Sequence, residues 1–161
     1  MKRTLVKTSL AVAAAAVAGS VATDPDSPWY RRLRKPAWQP PPPAYAAVWT
    51  PLYALIAYAS ARALARAGEA DRRALGRALG VNLALNAAWT PIFFRMRSPR
   101  AALAELVALN LSNAVLARRV LRADRPAGLL LLPYAGWTLF ATALNAAIVR
   151  RNPGSRAENA A

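Results

Sequence analysis

Long apolar runs alternate with short islands of arginine along this chain. Residues 5–22 carry one charge, Lys7; residues 44–61 carry none; residues 74–94 carry only Arg77; residues 101–117 carry only Glu105; residues 127–149 carry none. Between these runs lie Arg31, Arg32, Arg34 and Lys35, then Arg62, Arg66, Arg72 and Arg73, then Arg95, Arg97 and Arg100, then Arg118, Arg119, Arg122 and Arg125. A helix needs ~20 apolar residues to cross a bilayer, with ~17–25 tolerated. The pattern predicts an all-α membrane protein, a five-transmembrane-helix bundle with crossings near residues 5–22, 44–64, 74–94, 101–117 and 127–149. One membrane domain accounts for residues 1–161, with a lid loop over 23–43 and a polar tail over 150–161.

Inside the runs, polar and aromatic residues recur at helical spacing. At ~100° per residue, Asn82, Asn86, Trp89 and Phe93 share one face of the third helix, and Gly76, Gly80, Ala84 and Ala88 take the opposite face. Faces of such different character predict two different neighbours. An asparagine in hydrocarbon must find hydrogen-bond partners, so Asn82 and Asn86 are expected to face the bundle interior or a cavity. The small-residue ridge admits close approach of another helix, in the same chain or in a second copy. Tyr45, Trp49, Tyr53 and Ile56 share a face of the second helix, and Tyr134, Trp137, Ala141, Leu144 and Asn145 a face of the fifth. Each stripe alone reads as helix packing. Together the three predict an aromatic pocket with a few polar groups, the lining that holds flat apolar ligands, with Trp49 and Trp137 facing one cavity.

Punctuation refines the picture. The first loop ends in four consecutive prolines, an extended stretch that delays the second helix to about Ala44. The later loops are short, which predicts that consecutive helices are antiparallel neighbours. Trp-Thr-Pro occurs at 49–51 and again at 89–91, and predicts similar helix geometry at both places. A basic start, an apolar run and Ser20-Val21-Ala22 have the form of a secretory signal. That pattern leaves cleavage and a retained first helix both open.

Composition then removes several classes. The chain has 22 Lys and Arg against seven Asp and Glu, a formal net charge of +15, with 56% hydrophobic residues. A nucleic-acid surface would gather basic residues along one helix face or groove. Here they collect at both ends of the apolar runs, the placement of interfacial anchors, so no nucleic-acid partner is expected. Five crossings would put 12 Lys and Arg on one side and ten on the other, which sets no orientation. The chain has no His and no Cys, which excludes disulfides, thiolate metal sites and Ser-His-Asp or Cys-His relays. Haem iron is left with Tyr or Met side chains alone, and no metal site is expected.

The segments WYRRLRKPAWQPP, VWTPLY, LALNAAWTPIFF and PYAGWTLFATALNAAI resemble, in order, the signatures of the tryptophan-rich sensory protein family, TspO, also called the translocator protein or peripheral benzodiazepine receptor. The resemblance runs from about Gly19 to Asn152, and Glu105 stands where the family usually has an acid early in its fourth helix. It implies a five-helix membrane bundle with a retained first helix, and a homodimer through the Gly76, Gly80, Ala84 and Ala88 ridge. It implies no required cofactor but a porphyrin or haem as ligand. Binding roles are implied for Trp38 in the lid, Trp49 and Tyr53, then Asn86, Trp89 and Phe93, then Trp137, Ala141 and Asn145. Asn82 takes a place where relatives often have Gln, with the same donors and acceptor. This chain departs from the family pattern at Pro43, where a Trp is frequent, and at Ala146 and Ala147, where the sterol-associated segment needs a Tyr.

A porphyrin is a wide apolar disc with two carboxylates on one edge. Indole and phenol faces offer stacking area, and Arg31, Arg32, Arg34 and Lys35 beside the lid can pair with the propionates or serve as interfacial anchors. Of the seven acids only Glu105 lies in a predicted span, so paired-carboxylate catalysis lacks a partner. Such a Glu is a functional candidate by default, or a group that favours the start of its helix. The resemblance leaves three readings: a tetrapyrrole-binding sensor first, then a light-dependent porphyrin-degrading enzyme with Trp49 or Trp137 as electron donor, then a porphyrin or sterol transporter. Trp29, at the edge of the lid, is expected to matter less than Trp49 or Trp137.

Overall fold

The computed structural model describes residues 1–153, and the rest of the expected polar tail lies outside the described residues. The order is α1 (Lys2–Ala22), α2 (Pro28–Arg32), α3 (Pro42–Arg66), α4 (Glu69–Thr90), α5 (Pro99–Ala123), α6 (Arg125–Leu129) and α7 (Leu132–Arg151). The described residues contain no strand. Three stretches are long and apolar enough to cross a membrane: Lys2–Ala22, Pro99–Ala123 and Arg125–Arg151. The expected second and third crossings fall short of that criterion. Proline, tyrosine and tryptophan dilute α3, and α4 opens with Glu69, Asp71, Arg72, Arg73 and Arg77 before its two asparagines.

Helix ends differ from the apolar boundaries for local reasons. Pro42 and Pro43 lie in the first turn of α3, so the helix begins before Ala44. A proline fits there because the first-turn N–H groups have no intrahelical partner. Glu69 and Asp71 start α4 ahead of the apolar run, where acids favour the helix dipole. Ser98 caps α5 by accepting from the Ala101 N–H at 3.4 Å, and the helix runs on through Arg118, Arg119 and Arg122 because arginine is a good helix former. The expected fifth helix is broken: α6 ends at Leu129, Leu130 and Leu131 turn, and α7 restarts with Pro133 in its first turn. Pro133 has no N–H to continue the earlier ladder. The lid loop holds α2, one turn capped by Ser27, which proline and charge content did not foretell.

The two Trp-Thr-Pro units agree only as far as the threonine. Thr50 donates to the Ala46 carbonyl at 2.8 Å and Thr90 to the Ala87 carbonyl at 3.4 Å. After Pro51 the α-helix continues, whereas Pro91 opens a π turn, Pro91–Arg95. The wider turn closes with the Met96 N–H on the Pro91 carbonyl at 3.0 Å, and Phe93 within it is buried.

α1 packs against α3 and α4, α4 against α5, and α5 against α7, while α3 meets α5 and α6 and touches α7 through its aromatic side chains. Consecutive helices are therefore not always neighbours. α3 and α4 meet little beyond their connection, because α1 packs against both. Thr8 of α1 donates to the Ala57 carbonyl of α3 at 2.9 Å. At its other end a Cβ on Gly19 would lie 3.5 Å from the Thr90 hydroxyl of α4. The alanines Ala59 and Ala63 of α3 are fully buried in the core with Ile56, Leu75, Leu116 and Val120. Small side chains there allow the close helix approach that packing in a bilayer needs.

A clamp fixes the corner between α5 and α6. The Asp124 carboxylate accepts from Arg62 at 2.9 Å, pairs with Arg66, and caps α6 by accepting from the Ala127 N–H at 3.4 Å. The Arg62 hydrogen bond is the largest cause holding its carboxyl below the usual value. Gly128 completes the corner, since a Cβ there would stand 2.8 Å from the Leu121 Cα.

Candidate functional site

The aromatic stripes converge into one wall. On α3, Trp49 stacks on Tyr53 with ring centroids 5.0 Å apart. Trp49 also meets Trp137 of α7 edge to face at 6.5 Å, so the two indoles expected to share a cavity touch directly. Trp137 stacks on Phe140 at 5.1 Å, and Phe140 meets the lid residue Trp38 at 5.7 Å. The second half of the wall stands on α4 and its π turn, where Trp89 stacks on Phe93 at 4.9 Å. Tyr45 and Phe140 join the halves, for both also pack against the core around Phe93 and Leu144. Trp29 meets Phe93 edge-on at 5.6 Å.

Behind the wall runs a chain of side-chain hydrogen bonds. The Tyr53 hydroxyl donates to Asn86 Oδ1 at 3.0 Å, Asn86 Nδ2 donates to the Tyr134 hydroxyl at 3.1 Å, and Tyr134 donates to Asn82 Oδ1 at 3.1 Å. Asn82 Nδ2 donates to Asn113 Oδ1 at 2.6 Å, and Asn113 Nδ2 to the Thr138 hydroxyl at 2.8 Å. Thr138 donates to Asn110 Oδ1 at 2.9 Å, and Asn110 Nδ2 to the Thr142 hydroxyl at 2.8 Å. Every donor points the same way, from α3 through α4 to α5 and α7. Asn82 and Asn86 face the interior as expected, and each uses its carbonyl and its amide on protein partners. Ser112, which also accepts from Asn82 Nδ2 at 3.3 Å, Thr138, Thr142 and both α5 asparagines were not singled out from the sequence, whereas Tyr134 was placed on the aromatic face of the fifth helix. The signal was present in Asn110 and Asn113, polar residues in an otherwise apolar helix.

Several buried polar atoms have no hydrogen-bond partner among the described residues: Trp89 Nε1, Asn145 Oδ1 and both carboxylate oxygens of Glu105. Asn145 uses its amide on the Pro99 carbonyl at 2.7 Å, bracing the start of α5. Ala141 is half-buried on α7 between these groups in sequence. Leaving a buried donor or acceptor unpaired costs about 1–3 kcal/mol, so these atoms favour a partner that brings its own polar edge.

Over the wall, Arg31, Arg32 and Arg34 are exposed, whereas Lys35 lies with its Nζ 4.3 Å from the Tyr30 ring centroid. Burial lowers the Lys35 ammonium and raises the Tyr30 phenol from their usual values, the Tyr30 shift being opposed by a hydrogen bond from Gln39. On the far side of α4, Gly76, Gly80 and Ala84 are exposed and Ala88 is half-buried. A Cβ on Gly76 or Gly80 would meet nothing within 4 Å, so no approach among the described residues requires the ridge.

The TspO/MBR family profile matches residues 8–151. The chain is 36% identical over 138 residues to the tryptophan-rich protein TspO of Chlorobaculum tepidum, covering 84% of this chain and 87% of that protein. It is 36% identical over 129 residues to protein CrtK of Rhodobacter capsulatus, covering 80% and 81%. To the human translocator protein it is 37% identical over 131 residues, covering 80% and 77%.

Proposed function

This chain belongs to the TspO/MBR family, and from that premise we propose that it is a multi-pass membrane protein that binds a tetrapyrrole, protoporphyrin or haem, as a sensor. The observation that carries the reading is the wall of aromatic rings, stacked and edge to face, from Trp38 to Trp49 and from Trp89 to Phe93, in which the buried Trp89 Nε1 is left unpaired. A flat macrocycle would exchange ring-on-ring contacts within the wall for contacts with its own faces. Its polar atoms would serve that unpaired group, and the exposed Arg31, Arg32 and Arg34 would reach the propionates. Lys35, resting on Tyr30, would have to leave that ring to join them.

In this reading all five long helices cross the bilayer. Tyr53, Asn82 and Asn86, the polar residues within the apolar parts of α3 and α4, are turned inward and hydrogen-bonded, while the charges that open α4 stay exposed at its end. The exposed ridge of Gly76, Gly80 and Ala84 then serves a homodimer. Quenching of tryptophan fluorescence by protoporphyrin in the dark tests the site. Trp49→Ala and Trp137→Ala should each weaken binding roughly tenfold or more. Unchanged affinity in both would place the ligand elsewhere.

A further inference from the structure

At the end of the bundle away from the lid, the start of α1, the end of α3, the first half of α4, the end of α5 and the start of α6 bring together twelve Lys and Arg against Glu69, Asp71 and Asp124. Some of these cations are engaged: Arg62 and Arg66 on Asp124, and Arg72 on the Leu64 and Ala67 carbonyls. Arg77 and Arg119 form no ion pair with any described residue. Both line one groove of about 450 Å³ between α4 and α5, with Ala78, Val81, Ser112 and Val115.

The groove is graded along its length. α4 and α5 run antiparallel, so four residues inward from Arg77 is Val81, and four residues inward from Arg119 is Val115. Each step is ~6 Å along its helix. Two guanidinium groups therefore stand at the outer end, with two valines, 57% and 50% exposed, one turn deeper. The Ser112 hydroxyl lies deeper still on α5. Two helices supply the same order of charge and apolar surface independently. Free inorganic anions use only the first half of such a groove; an amphiphile uses both.

We infer that the groove between α4 and α5 binds one anionic phospholipid, its phosphate held by Arg77 and Arg119 and an acyl chain laid along Val81 and Val115. A guanidinium pairs with phosphate oxygens through parallel hydrogen bonds, and a net negative lipid answers the uncompensated charge of this end of the bundle. The inference rests on the bundle lying in a bilayer and is independent of tetrapyrrole binding. The Gly76, Gly80 and Ala84 ridge lies farther round α4, so lipid and a second copy take adjacent faces.

Native mass spectrometry of the detergent-purified chain tests this, with phosphatidylglycerol, phosphatidylcholine or inorganic phosphate added. The wild type should retain phosphatidylglycerol over phosphatidylcholine by roughly tenfold. Arg77→Gln with Arg119→Gln should abolish that preference. Arg118→Gln with Arg122→Gln, the same charge loss outside the groove lining, should leave it intact. Val115→Asn should weaken retention with no change of charge. Equal loss in the two double variants would reduce the effect to diffuse charge and overturn the site. Displacement of the lipid by phosphate, or its loss whenever the protein dimerises, would overturn it as well. Protoporphyrin quenching in the same samples reports the aromatic site separately, so failure of either reading is visible alone.

Discussion

The side-chain amide of Asn152 grips both backbone polar groups of Arg34. Its Oδ1 accepts from the Arg34 N–H and its Nδ2 donates to the Arg34 carbonyl, each at 3.0 Å. One side chain at the end of α7 thus pins the lid loop much as a neighbouring strand would. Asn152→Ala removes both bonds and should free the lid by about 1–2 kcal/mol, roughly tenfold in amide exchange around Leu33 to Lys35. Asn152→Asp keeps the acceptor only and should fall between. Hydrogen exchange read by mass spectrometry checks this; unchanged lid exchange in Asn152→Ala would mean that the loop is held elsewhere.

Trp49 and Trp137 offer a way to separate stacking from indole chemistry. Phenylalanine keeps a ring against Tyr53 and Phe140, so Trp49→Phe and Trp137→Phe should retain most dark binding of protoporphyrin, within a factor of about five. A sensor that works by stacking should leave porphyrin absorbance stable under light in the wild type and in both variants. Light-dependent loss of absorbance in the wild type, absent from the Phe variants, would favour the degrading enzyme over the sensor.

The ridge on α4 makes a test of assembly. A Cβ at Gly80 meets nothing within 4 Å among the described residues, so Gly80→Leu should fold normally and shift the detergent-solubilised protein towards monomer. Light scattering reads the mass. A variant with the wild-type mass would remove the ridge from the dimer.

Asn113 sits at the centre of the hydrogen-bond chain, accepting from Asn82 and donating to Thr138. Asn113→Leu leaves those partners short of a bond inside the bundle and should cost about 1–3 kcal/mol. Thermal unfolding in detergent measures the loss. A midpoint equal to that of the wild type would show that water or lipid serves the two groups equally well.

The Asp124 clamp carries a pH dependence with a defined sign. Its carboxyl is held below the usual 3.8, first by the Arg62 hydrogen bond, with the Ala127 N–H and the Arg62 and Arg66 charges adding and burial opposing. A lowered native value means that the unfolded chain binds the proton more readily. The clamp's contribution is then complete above pH ~4 and is lost as pH falls through the native value. Asp124→Asn should lower the unfolding midpoint at neutral pH, and the gap to the wild type should close in acid. A gap of constant size across that range would assign the effect to shape alone.

Much of the site was legible because hydrocarbon makes polar residues conspicuous. Asn82 and Asn86 had to turn inward, since lipid offers no hydrogen bonds, and the 3.6-residue period then put Gly76, Gly80 and Ala84 outside. Trp49 and Trp137 were identifiable as members of one wall from their stripes. Asn110 and Asn113 obeyed the same rule, yet periodicity on one helix names no partner, and their partners Asn82, Thr138 and Thr142 lie 25 or more residues away. Proline content marked the lid as extended, and it obscured α2, a single turn that depends on the Ser27 cap.

Periodicity and the spacing of arginines determined, by themselves, an all-helical chain, its apolar runs and the inward faces of α3, α4 and α7, because burial of apolar surface follows local pattern. Which helix lies beside which was decided only in three dimensions. α1 separates α3 from α4 because it packs against both, a fit between surfaces distant in sequence. The same holds for the contact of Trp49 with Trp137, the closing of Asp124 on Arg62 and Arg66, and the hold of Asn152 on Arg34. Each joins residues whose separation along the chain carries no energetic signal until the helices have packed.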